Sequence, residues 1–140
     1  MKNKFILFPI LIFTLVGCKK KYEDTFEYRI LDKKICAIKS ETVENPNKVN
    51  WLFPEVRNFS GEVISGNLKI DRSSKKYLFC YNLDEFKKEI GKGSIQSDVA
   101  IEIDSGSSVQ EYNLRNYSCI LSNTIKLNLS KNDLTKSCYE

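Results

Sequence analysis

Apolar and polar residues alternate most cleanly in the C-terminal third of the chain, and the alternation predicts strands. Val99, Ile101 and Ile103 alternate with Asp98, Ala100, Glu102 and Asp104. Period two sends the two sets to opposite faces, so the apolar set marks a buried face and the acidic set a solvated one. Ser105-Gly106-Ser107-Ser108 then turns the chain into residues 109–114, which predicts a hairpin. Residues 117–121 and 124–129 form a further predicted strand pair around Ser122-Asn123, with Ile125, Leu127 and Leu129 on one face. Upstream, residues 26–39 carry Phe26, Tyr28, Ile30, Ile35 and Ala37 around Asp32-Lys33, the pattern of a hairpin. Residues 76–81 form an aromatic strand with Tyr77, Phe79 and Tyr81 on one side and Leu78 and Cys80 on the other.

Between these strands the signals are shorter. Asn45-Pro46-Asn47 marks a turn. Trp51-Leu52-Phe53-Pro54 reads as a Pro-bounded apolar loop, because proline cannot donate to a central ladder. Residues 59–70 suggest two strand pieces, 62–64 and 67–70, around Ser65-Gly66. One helix is well punctuated: Asn82 as N-cap, Glu85 three residues on, Leu83, Phe86 and Ile90 on one face, and Gly91 as the stop. The expected fold is mainly β, an antiparallel sandwich or small partly closed barrel of about seven strands with one short helix.

The first residues follow a different rule. Lys2 and Lys4 precede an apolar run from Phe5 to Val16, too short to span a bilayer at about 20 residues but right for a secretory signal. The run closes on Leu15-Val16-Gly17-Cys18. This segment resembles the lipobox signal of bacterial lipoproteins. The resemblance covers residues 1–18 and implies cleavage before Cys18, diacylglycerol on its sulfur and acylation of the new N-terminus. Such a doubly lipidated terminus holds a membrane stably, at about 0.8 kcal/mol per buried methylene. Lys19, Lys20 and Lys21 add up to about 1 kcal/mol each against anionic lipid. By analogy with enteric sorting, Lys19 in place of Asp after the lipidated cysteine favours the outer over the inner membrane. The chain then divides into a signal peptide (1–17), a lipidated tether (18–25) and a single β-rich domain (26–140).

Charge and chemistry narrow the function. Two of the 22 basic residues fall in the signal segment, leaving 20 against 18 acidic. That balance argues for neither a nucleic-acid partner nor a strongly anionic ligand. Export and the four cysteines beyond Cys18 predict two disulfides among Cys36, Cys80, Cys119 and Cys138. Three pairings are open. Cys36–Cys80 with Cys119–Cys138 is preferred because the second bridge would tie down the C-terminus. The chain has no histidine, which removes the commonest general base and metal ligand. No Cys-x-x-Cys occurs, and neither a metal nor a cofactor is expected.

Asp98, Glu102 and Asp104 are the carboxylates available to a hydrolase, although alternate acids on a strand read as its solvent side. Gly91-Lys92-Gly93-Ser94 lacks the first glycine of a phosphate loop and follows a helix instead of preceding one. Asp104-Ser105-Gly106-Ser107 lacks the spaced acids of a calcium loop. Trp51 and Phe53 are the candidate ligand or partner contacts, and their apolar flanks suggest that they plug one end of the sandwich. The leading expectation is a non-enzymatic, lipid-anchored envelope module that binds a protein or glycan partner, in the manner of an inhibitor or immunity protein. The alternative is a carbohydrate-binding accessory module, which requires an exposed Trp51 or a coplanar tyrosine pair. A small carboxylate-dependent hydrolase is the third reading.

Overall fold

A computed structural model describes residues 24–38, 49–104 and 106–139. Cys18, the signal segment and the Asn45-Pro46-Asn47 turn lie outside the described residues. The elements run β1 (Asp24–Thr25), β2 (Glu27–Leu31), β3 (Lys34–Ile38), β4 (Val49–Arg57), β5 (Tyr77–Asn82), α1 (Leu83–Ile90), β6 (Gly93–Asp104), β7 (Val109–Ile120), β8 (Ile125–Leu129) and α2 (Lys131–Cys138). They form two sheets. The larger runs β4-β6-β7, with the short β1 and β8 both on the outer edge of β7. The smaller runs β2-β3-β5. Apart from the two-residue β1, all pairings are antiparallel, and the fold is mainly β as the alternation predicts.

The inner faces share one core. β6 supplies Ile95, Val99 and Ile101, β7 supplies Leu114 and β4 supplies Val56, while the small sheet adds Tyr28, Ile35, Ala37, Phe79 and Tyr81. Phe26 meets Tyr28 edge-on at 5.0 Å between centroids. Helix α1 brings in Phe86, fully buried, whose ring packs on Tyr81 at 5.7 Å and Tyr28 at 6.0 Å. Its start is set locally: Asn82 Oδ1 accepts from the amides of Asp84 (3.0 Å) and Glu85 (3.1 Å), and Leu83 N donates to Lys33 O. Gly91, at φ 70°, ends it. Gly93 follows at φ 123°, where a Cβ would stand 2.9 Å from that of Phe59.

Several expectations are corrected. Trp51 to Pro54 is no loop but the middle of β4, an edge strand. Val56 O accepts from Ile64 N, away from β6, so in an alternating strand Pro54 also turns its backbone outward. Its missing N–H therefore costs the β4–β6 ladder nothing. Segments 62–64 and 67–70 are not strands; Val63 makes one bridge to Arg57, and Ser65–Asn67 is a 3-10 turn. Residues 117–120 are the end of the long β7 and not a strand of their own. Pairing starts at Asp24, two residues earlier than the predicted domain edge.

A second helix, α2, follows β8 and was not expected. Ser130 caps it, its Oγ accepting from Asp133 N at 3.1 Å and donating to Asp133 Oδ2 at 2.6 Å. The cysteines pair as preferred. Cys36 and Cys80 are direct cross-strand partners with Cα atoms 4.0 Å apart, and Cys119 bridges to Cys138 at the end of α2, Cα to Cα 5.8 Å.

Candidate functional site: the outer face of the large sheet

Register places the residues of the outer face. Since Val99, Ile101 and Leu114 point inward, their neighbours point out. Trp51 stands opposite Glu102, Phe53 opposite Ala100 and Glu55 opposite Asp98. One strand further, Glu102 faces Glu111, Ala100 faces Asn113, Asp98 faces Arg115 and Gln96 faces Tyr117. At one end of this face Cys119 is fully buried and linked to Cys138, which pins α2 over β6, β7 and β8. Among the described residues the other end is open.

Trp51 and Phe53 occupy the open end. They are 50% and 56% exposed, so they do not plug the sandwich. Being two apart on one strand, they share a face, and their rings lie within 10° of parallel with centroids 6.1 Å apart. Large apolar side chains on an edge strand are an aggregation hazard, which makes an exposed aromatic pair informative. Ala100, opposite Phe53, keeps the adjoining surface low, and Glu102, Glu111 and Asn113 supply polar groups around the rings.

Between the aromatic pair and α2 lies an ion pair. Arg115 donates from Nε to Asp98 Oδ1 at 2.5 Å and from Nη2 to Oδ2 at 3.0 Å, and Gln96 Nε2 donates to the same carboxylate at 2.9 Å. The hydrogen bonds it donates to Asp98 hold the guanidinium firmly charged. Asp98 is 7% exposed, which corrects its placement on a solvated face. A fork-on-fork pair of this kind is a rigid, oriented feature.

Beyond the ion pair, α2 and the sheet enclose a groove of about 700 Å³ lined by Gln96, Arg115, Tyr117, Lys131, Asn132, Leu134, Thr135 and Lys136. Three of these are cations and none is a carboxylate. A second concavity, about 490 Å³, lies between the β2–β3 turn and the start of α1. Its charges are mixed, with Lys33, Lys34, Lys69 and Arg72 against Asp71 and Glu85, and Lys34 is already paired to Asp71 at 2.6 Å.

Of the carboxylates proposed for hydrolysis, Asp98 is held apart from the others. Asp98 and Glu102 are four residues apart on one strand, about 13 Å, beyond the roughly 5–9.5 Å separation of a glycosidase pair. Asp98 is bound to Arg115, and Asp104 Oδ1 accepts from Gly106 N in the hairpin turn. Among the described residues no group of three His, Cys, Asp or Glu side chains could hold a metal ion. Sequence reasoning missed Arg115, Tyr117, Lys131 and Lys136; α2 carries too faint an apolar stripe to announce itself. No protein family, curated protein or solved structure matches the chain.

Proposed function

We propose that the protein is a lipid-anchored, non-enzymatic module of the cell envelope that binds saccharide on the outer face of its large sheet, with Trp51 and Phe53 as the contact. The observation that carries this reading is the exposure and near-parallel setting of those two rings. Aromatic faces are electron-rich, and the C–H faces of sugar rings stack on them, while rimming carboxylates and amides accept and donate to the hydroxyls. The two rings stack on one another, so a sugar meets an outward face of the pair. The lipidated Cys18 stays part of the proposal on the strength of its lipobox. Six residues, 18–23, separate the anchor from β1, a reach of at most about 20 Å, so the ligand would be met close to the membrane surface.

The test is binding of the soluble domain to envelope polysaccharide by affinity electrophoresis, with Trp51→Ala and Phe53→Ala as the variants. Both side chains are exposed, so the fold survives their removal. Retardation by polysaccharide that disappears in either variant supports the reading. Retardation unchanged in both sinks it. For the anchor, Cys18→Ser should abolish processing and move the protein out of the detergent phase.

A further inference from the structure

The outer face is electrically polar along its length. At the aromatic end Glu102 and Glu111 stand opposite each other beside Trp51, while Glu55, further along β4 and opposite Asp98, is paired with Arg57. At the other end, Arg115, Lys131 and Lys136 line the groove under α2, with no carboxylate among its walls. The rest of that lining is amide and hydroxyl (Gln96, Tyr117, Asn132 and Thr135) with one apolar residue, Leu134. From Phe53 to Arg115 the path crosses two strand spacings and two residues, about 12 Å, which is the length of a short oligosaccharide.

We infer that the ligand is an acidic saccharide bound in one direction. A neutral sugar unit lies on Trp51 and Phe53, and a carboxylate-bearing unit enters the groove between α2 and the sheet to meet Lys131 and Lys136. This rests on the saccharide reading above and adds the chemical class and the polarity of the ligand. Charge complementarity carries it. A carboxylate at the aromatic end would face Glu102 and Glu111, whereas in the groove it gains charge-assisted hydrogen bonds from cations held over a concave, hydroxyl-rich wall. The disulfide from Cys119 to Cys138 holds the C-terminal end of α2 and β8 runs into its N-terminal end through Ser130, so the groove is pre-formed. Pre-formed walls spare the ligand the entropy of ordering them.

The experiment uses the full domain, from residue 18 onward, on an array of uronic-acid-containing and neutral oligosaccharides. Calorimetric titration of the tightest acidic ligand and its methyl ester follows. The ester keeps the shape and removes the charge. The acid is expected to bind at least about tenfold more tightly than the ester. The double variant Lys131→Ala/Lys136→Ala should erase that difference, and Trp51→Ala should weaken acid and ester alike. Hits confined to neutral saccharides, no hits at all, or equal affinity for acid and ester would overturn the inference. Lysine dependence that persists while Trp51→Ala has no effect would overturn only the role of the aromatic pair.

Discussion

The side chain of Asn128 replaces a strand partner for Tyr28. Its Oδ1 accepts from Tyr28 N at 2.7 Å and its Nδ2 donates to Tyr28 O at 3.0 Å, so one amide satisfies both backbone groups of the residue at the edge of the small sheet. Asn128 sits at φ 57°, where the β7–β8 register slips between Tyr117 and Cys119, and asparagine tolerates that left-handed conformation better than most residues. Asn116, buried on β7, donates to Asn128 Oδ1 at 2.9 Å and to Phe26 O at 2.8 Å, and Ser118 Oγ donates to Asn116 Oδ1 at 2.8 Å. The two sheets are thus joined along this edge by amide side chains, without a continuous ladder.

Asn128→Ala should therefore destabilise the domain by about 1–3 kcal/mol, from unpaired groups at the seam. Asn128→Gly loses the same hydrogen bonds but relieves the positive φ, and should fall between the alanine variant and the native protein. Urea midpoints order the three. Equal midpoints for native and alanine proteins would mean that the seam contributes nothing.

Phe86 fills the space between Tyr28 and Tyr81 and is wholly buried. Phe86→Ala should cost about 3–5 kcal/mol. Asn82→Ala, which removes the helix cap, should cost about 1 kcal/mol. Chemical denaturation of both variants checks the ratio as well as the sizes.

The two bridges close loops of sequence separation 44 and 19. Chain entropy assigns them about 4 and 3 kcal/mol. An alkylating agent applied to the exported, unreduced domain under denaturing conditions should label none of Cys36, Cys80, Cys119 and Cys138. Reduction should expose all four and lower the melting temperature. Cys138→Ser should also loosen α2, read as faster amide exchange over Lys131–Cys138, while exchange in α1 is unchanged.

Burial raises the ionisation of the Tyr28 and Tyr81 phenols well above the ordinary tyrosine value of about 10, and for Tyr81 the neighbouring Tyr28 adds to it. The Tyr28 hydroxyl lies toward Ser97 without reaching hydrogen-bond geometry, and the Tyr81 hydroxyl has no partner among the described residues. A raised folded value favours the fold fully below pH about 10, and that contribution is lost as pH climbs toward the folded value. Alkaline unfolding should thus begin above pH about 10, with phenolate absorbance rising together with loss of structure. The double variant Tyr28→Phe/Tyr81→Phe should shift the alkaline transition upward. Phenolate formation by all the tyrosines in a protein that stays folded would contradict the burial argument.

The parts of this protein that were legible in its sequence are those governed by near neighbours. Asn82, Glu85, Gly91 and the spacing of Leu83, Phe86 and Ile90 specify α1 within ten residues, and the β2–β3 and β6–β7 hairpins follow from alternation around a turn. The even count of cysteines beyond Cys18 likewise predicted two bridges. The candidate site was decided by distant segments. Trp51 and Phe53 are apolar, and their exposure depends on β4 lying at an edge with none of the described residues packed over that end of the sheet. Asp98 alternates like a solvated acid, yet Arg115, seventeen residues later, buries it by pairing across β6 and β7. Helix α2 has little apolar surface of its own and stays in place through Cys119, a residue of another strand. A side chain's type is local information, but whether it ends against a partner or against water depends on which strands become neighbours. Only the tertiary structure sets that.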